Sequence, residues 1–292
     1  MRFAVICFLS LLSAALYADT FVWKVSKDNR HLYLGGTFHM LMPSDYPLPA
    51  EFDYAYEQVN WLVFETDIAK LTSTEFQQKF QQAFVQPNGQ TLQDQLSDDE
   101  WQRLQRYCQQ RQIPLAQYQS MTVQFISLVI VMHELKRYGM TAEGVDNHFY
   151  LRAKADGKVT SQLESVDDQI RYLATMAQGN EDNLIRQTID DAQQLEQMMT
   201  QMRQSWRSGD LTTLTASGIT PMQRDYPRIY QSLLVERNNN WMPRIKKLLQ
   251  HPEPKLILVG ALHLAGPDGL LAMLAGEGYQ LEQLRIQPAA VP

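Results

Sequence analysis

The sequence contains little cysteine and lacks the motifs of several common enzyme classes. Only two of its 292 residues are cysteines, Cys7 and Cys108. It has no Gly-x-Ser-x-Gly elbow, no His-Glu-x-x-His, no phosphate-binding P-loop and no Gly-x-Gly-x-x-Gly. These absences remove the usual support for a serine hydrolase or a nucleotide-binding enzyme.

The first 18 residues have the order of a secretory signal peptide. Arg2 precedes an apolar run over residues 3–12, small residues follow to Ala18, and the first acidic residue is Asp19. The run is too short to span a bilayer. We predict cleavage after Ala18, with Ala15 as the competing position, and an exported protein, periplasmic or secreted, that has no stable membrane anchor after cleavage.

Cleavage would remove Cys7 and leave Cys108 without a partner for an intramolecular disulfide. Because Cys108 lies in a helical pattern over residues 98–111, we expect a small buried hydrophobic residue rather than a nucleophile.

The remaining chain, residues 19–292, reads as one domain. Hydrophobic residues make up 45% of the sequence, which is enough for a sizeable core, and no Pro/Gly/Ser-rich linker interrupts it. The formal net charge of −6 gives no indication of nucleic-acid binding.

Apolar runs and helical periodicity predict an α/β (α+β) fold, with a central mixed β-sheet flanked by helices and a mainly helical middle segment. The middle includes single helices predicted from Pro114 through residue 135 and over residues 221–250. The predicted strands cover residues 21–26, 31–35, 61–64, 158–163, 255–260 and 279–286.

Two segments near opposite ends of the chain share a Gly-x-x-His pattern. They read Gly36-Thr37-Phe38-His39 and Gly260-Ala261-Leu262-His263, and each follows a predicted buried strand. Either histidine alone is also consistent with a structural residue bonded to a carbonyl group. Together they favour two imidazoles at one sheet edge, the beginning of a metal site.

Acidic residues follow two other predicted strands. Glu65 comes directly after residues 61–64, and Glu164 follows residues 158–163. If the strands are parallel neighbours, these side chains meet the two histidines at the carboxyl ends of the strands, where open sheets bind ligands. We predict His39, Glu65 and His263 as metal ligands. Glu164 is a further ligand, a general base or a structural partner; if Glu65 is a ligand, Glu164 becomes the base candidate.

Arg237 lies on the predicted helix before the last Gly-x-x-His strand. Its guanidinium group could bind a substrate carboxylate or stabilise an oxyanion, and a solvated surface position is the alternative. The other histidines, His31, His133, His148 and His251, are expected to be structural or exposed.

These motifs resemble the TraB/GumN family, which is related to the Tiki proteases. The resemblance covers nearly all of residues 19–292, and the segment following Gly260 is its most specific part. It rests on Gly36-Thr37-Phe38-His39, Phe64-Glu65-Thr66, Gly144-Val145-Asp146, Leu163-Glu164, Arg237-Asn238 and residues 260–269.

The resemblance implies a fold like that of haem-binding ChaN and the erythromycin esterases, and a metal-dependent peptidase activity. It favours manganese or cobalt, and the ligand types also allow zinc. His39, Glu65 and His263 would hold the metal, and Arg237 would contact the substrate or the transition state.

Two functions follow as hypotheses. The first is an exported metallohydrolase that cleaves a peptide or protein substrate, in which Glu65 or Glu164 takes a proton from metal-bound water. The alternative is a haem- or metal-binding protein without hydrolase activity.

Overall fold

The computed structural model describes residues 20–286, and the predicted signal peptide lies outside the described residues. A single six-stranded sheet runs through this part of the chain, in the spatial order β4-β3-β5-β2-β1-β6. The strands are β1 (Val22–Lys27), β2 (Arg30–Thr37), β3 (Trp61–Phe64), β4 (Val159–Gln162), β5 (Leu256–Gly260) and β6 (Gln280–Gln283).

The sheet is mixed, with four parallel strands on one side. β4, β3, β5 and β2 are parallel neighbours, whereas β1 pairs antiparallel with both β2 and β6. Parallel pairing requires long crossover connections, and helices provide them here. The predicted α/β class with a central mixed sheet is therefore confirmed.

Local sequence explains the strands. β5 reads Leu-Ile-Leu-Val-Gly, and its first four residues are buried, as expected for a strand covered on both faces. β1 and β2 are joined by Asp28 and Asn29, which have φ angles of 49° and 62°. Such left-handed pairs form the two-residue turns that match strand twist, and Asp and Asn tolerate this conformation.

Helices flank the sheet and form most of the middle of the chain. None of the helices within residues 20–286 is both long and apolar enough to cross a membrane. They are α1 (Ala50–Glu57), α2 (Thr74–Ala83), α3 (Asp98–Arg111), α4 (Val123–Arg137), α5 (Val145–Ala155), α6 (Val166–Thr175), α7 (Glu181–Arg207), α8 (Leu211–Leu214), α9 (Thr220–Asp225), α10 (Pro227–Tyr230), α11 (Glu236–Leu249) and α12 (Leu270–Gly276).

Two predicted helices are wrong in their extent. The segment after Pro114 forms only a 3₁₀ turn, Leu115–Tyr118, and α4 begins later because the Thr122 hydroxyl accepts a hydrogen bond from the Phe125 N–H. The predicted helix over residues 221–250 is interrupted at Tyr226, and residues 227–249 are helical without a further break. Pro227 has no N–H to continue α9, and a π-helical turn, Gln231–Val235, precedes α11.

The main core lies around the sheet, and a second cluster fills the space between α3, α4 and α7. Cys108 belongs to the second cluster and is 1% exposed. Burial raises the pKa of its thiol to about 12, so the thiolate is not formed near neutral pH. The prediction that Cys108 is a small buried residue of the core is confirmed.

Candidate functional site

The carboxyl ends of four parallel strands bring predicted site residues to one sheet edge. His39 follows β2, Glu65 follows β3, Glu164 follows β4, and His263 ends a 3₁₀ turn, Ala261–His263, directly after β5. Because these strands are neighbours with the same direction, their ends emerge together. Arg237 reaches the same place from the first turn of α11. The structure thus brings all five predicted residues together.

Arg237 connects the other charged groups of the site. Its Nη2 atom donates to Glu65 Oε2 at 2.6 Å and to Glu164 Oε1 at 2.7 Å. Its Nη1 atom lies 3.1 Å from Nε2 of His263. Burial by itself lowers the pKa of Arg237, but the two carboxylates outweigh that effect and raise it, so the guanidinium group keeps its charge.

Glu65 is ionised although it is buried. Burial alone raises its pKa, whereas Arg237, both site histidines and the Gly260 N–H, which is 2.6 Å from Oε1, lower it. The lowering effects are larger in total, so the net pKa lies well below the ordinary value for glutamate. Both carboxylate oxygens already accept a hydrogen bond, one from Arg237 and one from Gly260.

Glu164 holds the other side of the guanidinium group. Its Oε2 atom accepts from Arg237 Nε at 3.1 Å and from Trp241 Nε1 at 2.9 Å. Burial raises its pKa, and the bonds from Arg237 and Trp241 oppose that shift only in part. With both oxygens engaged, Glu164 is arranged to fix Arg237 in place.

His263 is a neutral imidazole with a defined tautomer. Its Nδ1 atom lies 2.7 Å from Asn238 Oδ1, and its Nε2 atom faces Arg237. Burial lowers its pKa to about 3, and the Arg237 charge acts in the same direction. An Nε2 lone pair directed at a guanidinium donor requires the proton on Nδ1.

His39 differs from His263 in exposure and in charge. Its side chain is 62% exposed, and its Nδ1 atom lies 2.8 Å from Asp146 Oδ2. The other oxygen of Asp146 accepts from the Thr37 hydroxyl at 2.9 Å. The Asp146 carboxylate raises the pKa of His39 to about 9, so the imidazole is protonated at neutral pH.

A gap large enough for one methyl group lies beside the Cα atom of Gly260, among the three predicted metal ligands. A methyl group added to Gly260 would lie 3.2 Å from Glu65 Oε1, 3.7 Å from His39 Nε2 and 3.6 Å from His263 Cδ2. Nε2 of His263 is 3.8 Å from the same glutamate oxygen. We call this space the Gly260 cavity.

The three side chains around the Gly260 cavity are of types that divalent metal ions accept, but His263 presents Cδ2 rather than Nε2 to the gap. Two imidazoles and a carboxylate are common ligands, and ligating histidines usually donate their second ring nitrogen to an acceptor, as both do here. Within residues 20–286, no group of three or more His, Cys, Asp or Glu side chains is arranged to hold a metal ion. Nε2 of His263, the ring atom left free by Asn238, faces the Arg237 guanidinium group instead.

Asp146 and Asn238 belong to the site but had no predicted role. Both were visible in the motifs, Asp146 two residues after Gly144 and Asn238 beside Arg237. Their contacts join residues 107 and 25 positions apart in the chain, which the spacing of the motifs does not reveal.

Together these features define an α/β protein with a buried ionic site at the carboxyl ends of its parallel strands. The chain belongs to the TraB/PrgY/gumN family, whose sequence profile matches residues 21–283. No curated protein and no solved structure shows significant similarity to the chain.

Proposed function

We propose that the protein is an exported metal-dependent hydrolase that cleaves peptide bonds. The observation that carries this proposal is the convergence of His39, Glu65 and His263 around the Gly260 cavity, with both histidines anchored through Nδ1. The resemblance to the Tiki proteases supports the choice of a peptide or protein substrate. Export rests on the sequence of residues 1–18.

His39 Nε2, Glu65 and His263 Nε2 would hold the metal, with manganese or cobalt favoured by the resemblance and zinc allowed by the ligands. When bound, such an ion lowers the pKa of a coordinated water and polarises a carbonyl group. Arg237 Nη1 faces Nε2 of His263, so the guanidinium group would have to release this atom for His263 to act as a ligand. Glu164 would still hold Arg237 through Nε and Nη2.

Arg237 would stabilise the negative charge that develops on the substrate carbonyl oxygen. A fixed positive charge in a site shielded from water acts strongly on such an oxyanion. Glu164 keeps the guanidinium group in position. Both of its carboxylate oxygens accept hydrogen bonds from Arg237, and Oε2 also accepts one from Trp241, which fixes the carboxylate. We therefore propose that Glu164 positions Arg237 rather than acting as the general base.

A cleavage assay tests the proposed function. The purified chain beginning at Asp19 is incubated with a peptide library and manganese, cobalt or zinc, and products are identified by mass spectrometry. We expect metal-dependent cleavage that falls at least about 100-fold in His39→Ala and His263→Ala, because each loses a ligand. Cleavage that persists in a chelator, or none with any metal, contradicts the proposal.

Two control variants, His31→Ala and Gly276→Ala, separate loss of the site from general loss of structure. His31→Ala removes a histidine from the same strand as the first motif but far from the Gly260 cavity, and it should leave cleavage unchanged. Gly260→Ala should abolish cleavage by filling the cavity, since its φ of −50° and ψ of 136° suit alanine. Gly276→Ala, where the methyl group meets no atom within 4 Å, should have no effect.

A further inference from the structure

Each imidazole of the proposed metal set is held at Nδ1 by a side chain that the proposed function places in contact with neither metal nor substrate. Asp146 holds His39 at 2.8 Å, and Asn238 holds His263 at 2.7 Å. We infer that Asp146 and Asn238 are positioning residues that fix the two imidazole rings, so that Nε2 of His39 faces Gly260 and Nε2 of His263 faces Arg237 beside Glu65, the two atoms through which the histidines would bind a metal. This inference rests on the proposed function for what Nε2 binds, whereas the orientation itself is a property of the metal-free protein.

The amide of Asn238 can adopt only one orientation. Its Nδ2 atom donates to two backbone carbonyls, that of His263 at 3.2 Å and that of Asp268 at 2.8 Å. Because carbonyl oxygens only accept, the NH₂ group has to face them, and Oδ1 has to face the ring. Oδ1 in turn requires a proton on Nδ1 of His263. Asn238 is 1% exposed, so water does not replace any of these partners.

The carboxylate of Asp146 is fixed by different means. It lies in the first turn of α5, where the helix N-terminus favours a negative charge. Thr37 donates to one oxygen and His39 to the other. The Val145 N–H donates to the Phe38 carbonyl at 3.0 Å, which ties the start of α5 to the turn that carries His39.

These two partners predict opposite tolerance to the exchange of acid and amide. Asp146→Asn keeps an acceptor for Nδ1 of His39, and the Thr37 hydroxyl can rotate to accept from the new NH₂ group. Asn238→Asp instead places a carboxylate against two carbonyl oxygens and removes both donors. A residue that only filled space would tolerate both nearly isosteric exchanges.

The first readout needs no metal. In ¹H–¹⁵N spectra of the metal-free protein, we expect one hydrogen-bonded Nδ1–H signal from His39 and one from His263, assigned with His39→Gln and His263→Gln. Asp146→Ala should abolish the His39 signal, and Asp146→Asn should retain it. Asn238→Ala and Asn238→Asp should both abolish the His263 signal.

The second readout is Co²⁺ affinity measured by calorimetry. Loss of the orienting partner should weaken binding roughly 10- to 100-fold in Asp146→Ala, Asn238→Ala and Asn238→Asp, whereas Asp146→Asn should stay within about threefold of the wild type. Asp156→Ala is the matched control, because Asp156 follows the other end of α5 and bonds Tyr56 instead of a site histidine.

The two readouts separate this inference from the proposed function. If the Nδ1–H signals survive the alanine substitutions, the positioning roles are overturned, whatever the metal does. If the signals behave as expected but the wild type binds no Co²⁺, the metal is removed from the proposed function and the orienting role stands. Circular dichroism checks folding; if the alanine variants unfold, the contrast between Asp146→Asn and Asn238→Asp decides.

Discussion

Burial and neighbouring charges together determine the charge states of the side chains in this site. Arg237, with the two histidines and the Gly260 N–H, keeps Glu65 ionised, burial disfavours a proton on His263, and His39 beside Asp146 stays charged. The two histidines occupy equivalent positions in similar motifs, but the pKa of His39 is raised and that of His263 is lowered. The motif supplies the imidazole, whereas burial and the neighbouring charges set its pKa.

The neutrality of His263 predicts how stability depends on pH. In the unfolded chain this residue takes up a proton below its ordinary pKa of 6.5, whereas in the folded protein its pKa is about 3. Between these values the unfolded state binds more protons, so lowering the pH favours unfolding by up to about 1.4 kcal/mol per pH unit.

Urea unfolding of wild type and His263→Gln in a chelator, between pH 7.5 and 5.5, measures this effect. We expect the free energy of unfolding of the wild type to fall more steeply below pH 6.5 than that of the variant, because only the wild type has an imidazole that the folded state keeps unprotonated. Parallel curves would mean that His263 is not held neutral.

At the scale of secondary structure, the site depends on how α5 meets the turn after β2. Gly144 is the N-cap of α5, and its φ of −79° and ψ of 174° are available to any residue. Space is what requires glycine here. An added methyl group would lie 2.3 Å from the His39 carbonyl carbon and 2.4 Å from the Phe38 carbonyl oxygen.

Gly144→Ala should therefore lower the free energy of unfolding by about 3 kcal/mol, because backbone atoms cannot rotate away as a side chain would. It should also weaken Co²⁺ binding by moving Asp146 away from His39. Chemical denaturation and calorimetry measure the two effects. Gly276→Ala serves as the control, and equal stability of the two variants would contradict the close contact at Gly144.

Much at this scale could be predicted, and the exceptions have local causes. The extent of α3 and the strand-to-glutamate order at Glu65 follow from periodicity and from a short apolar run. The helix predicted over residues 221–250 was wrong because apolar spacing persists through Pro227 and through a π-helical turn, which shifts the register without changing the composition. That shift directly precedes Arg237.

At the scale of the whole molecule, α7 links the second core cluster, which lies between α3, α4 and α7, to the sheet. Trp206, near its end, is fully buried and donates from Nε1 to the Gly36 carbonyl at 2.7 Å. Its ring also contacts Phe38 and Phe52, with centroids 5.6 and 5.9 Å away. The first Gly-x-x-His motif is thereby held by a helix that lies 170 residues further along the chain.

Trp206→Phe should reduce the free energy of unfolding by about 2–3 kcal/mol, since it leaves a small cavity and a buried carbonyl without a donor. Trp61→Phe also removes an indole N–H, which donates to Ser161 at 2.8 Å, but this side chain is partly exposed and water can replace the bond. We expect its cost to stay below about 1 kcal/mol. Equal losses in urea unfolding would contradict the role of Trp206.

The sequence by itself determined the family and the fold class. It also predicted the two histidines and two glutamates of the site, because buried strands that end in a glycine or a charged residue are visible as short local patterns. Arg237 lies on a helix, and its place in the site was expected from the family resemblance. Only the tertiary structure decided which atoms those residues present to one another. Arg237 contacts Glu65 across 172 positions, and His39 contacts Asp146 across 107. Such pairings depend on strand order and on side-chain orientation, and the local spacing of residues encodes neither of these. Burial and neighbouring charges in the packed interior then set each pKa.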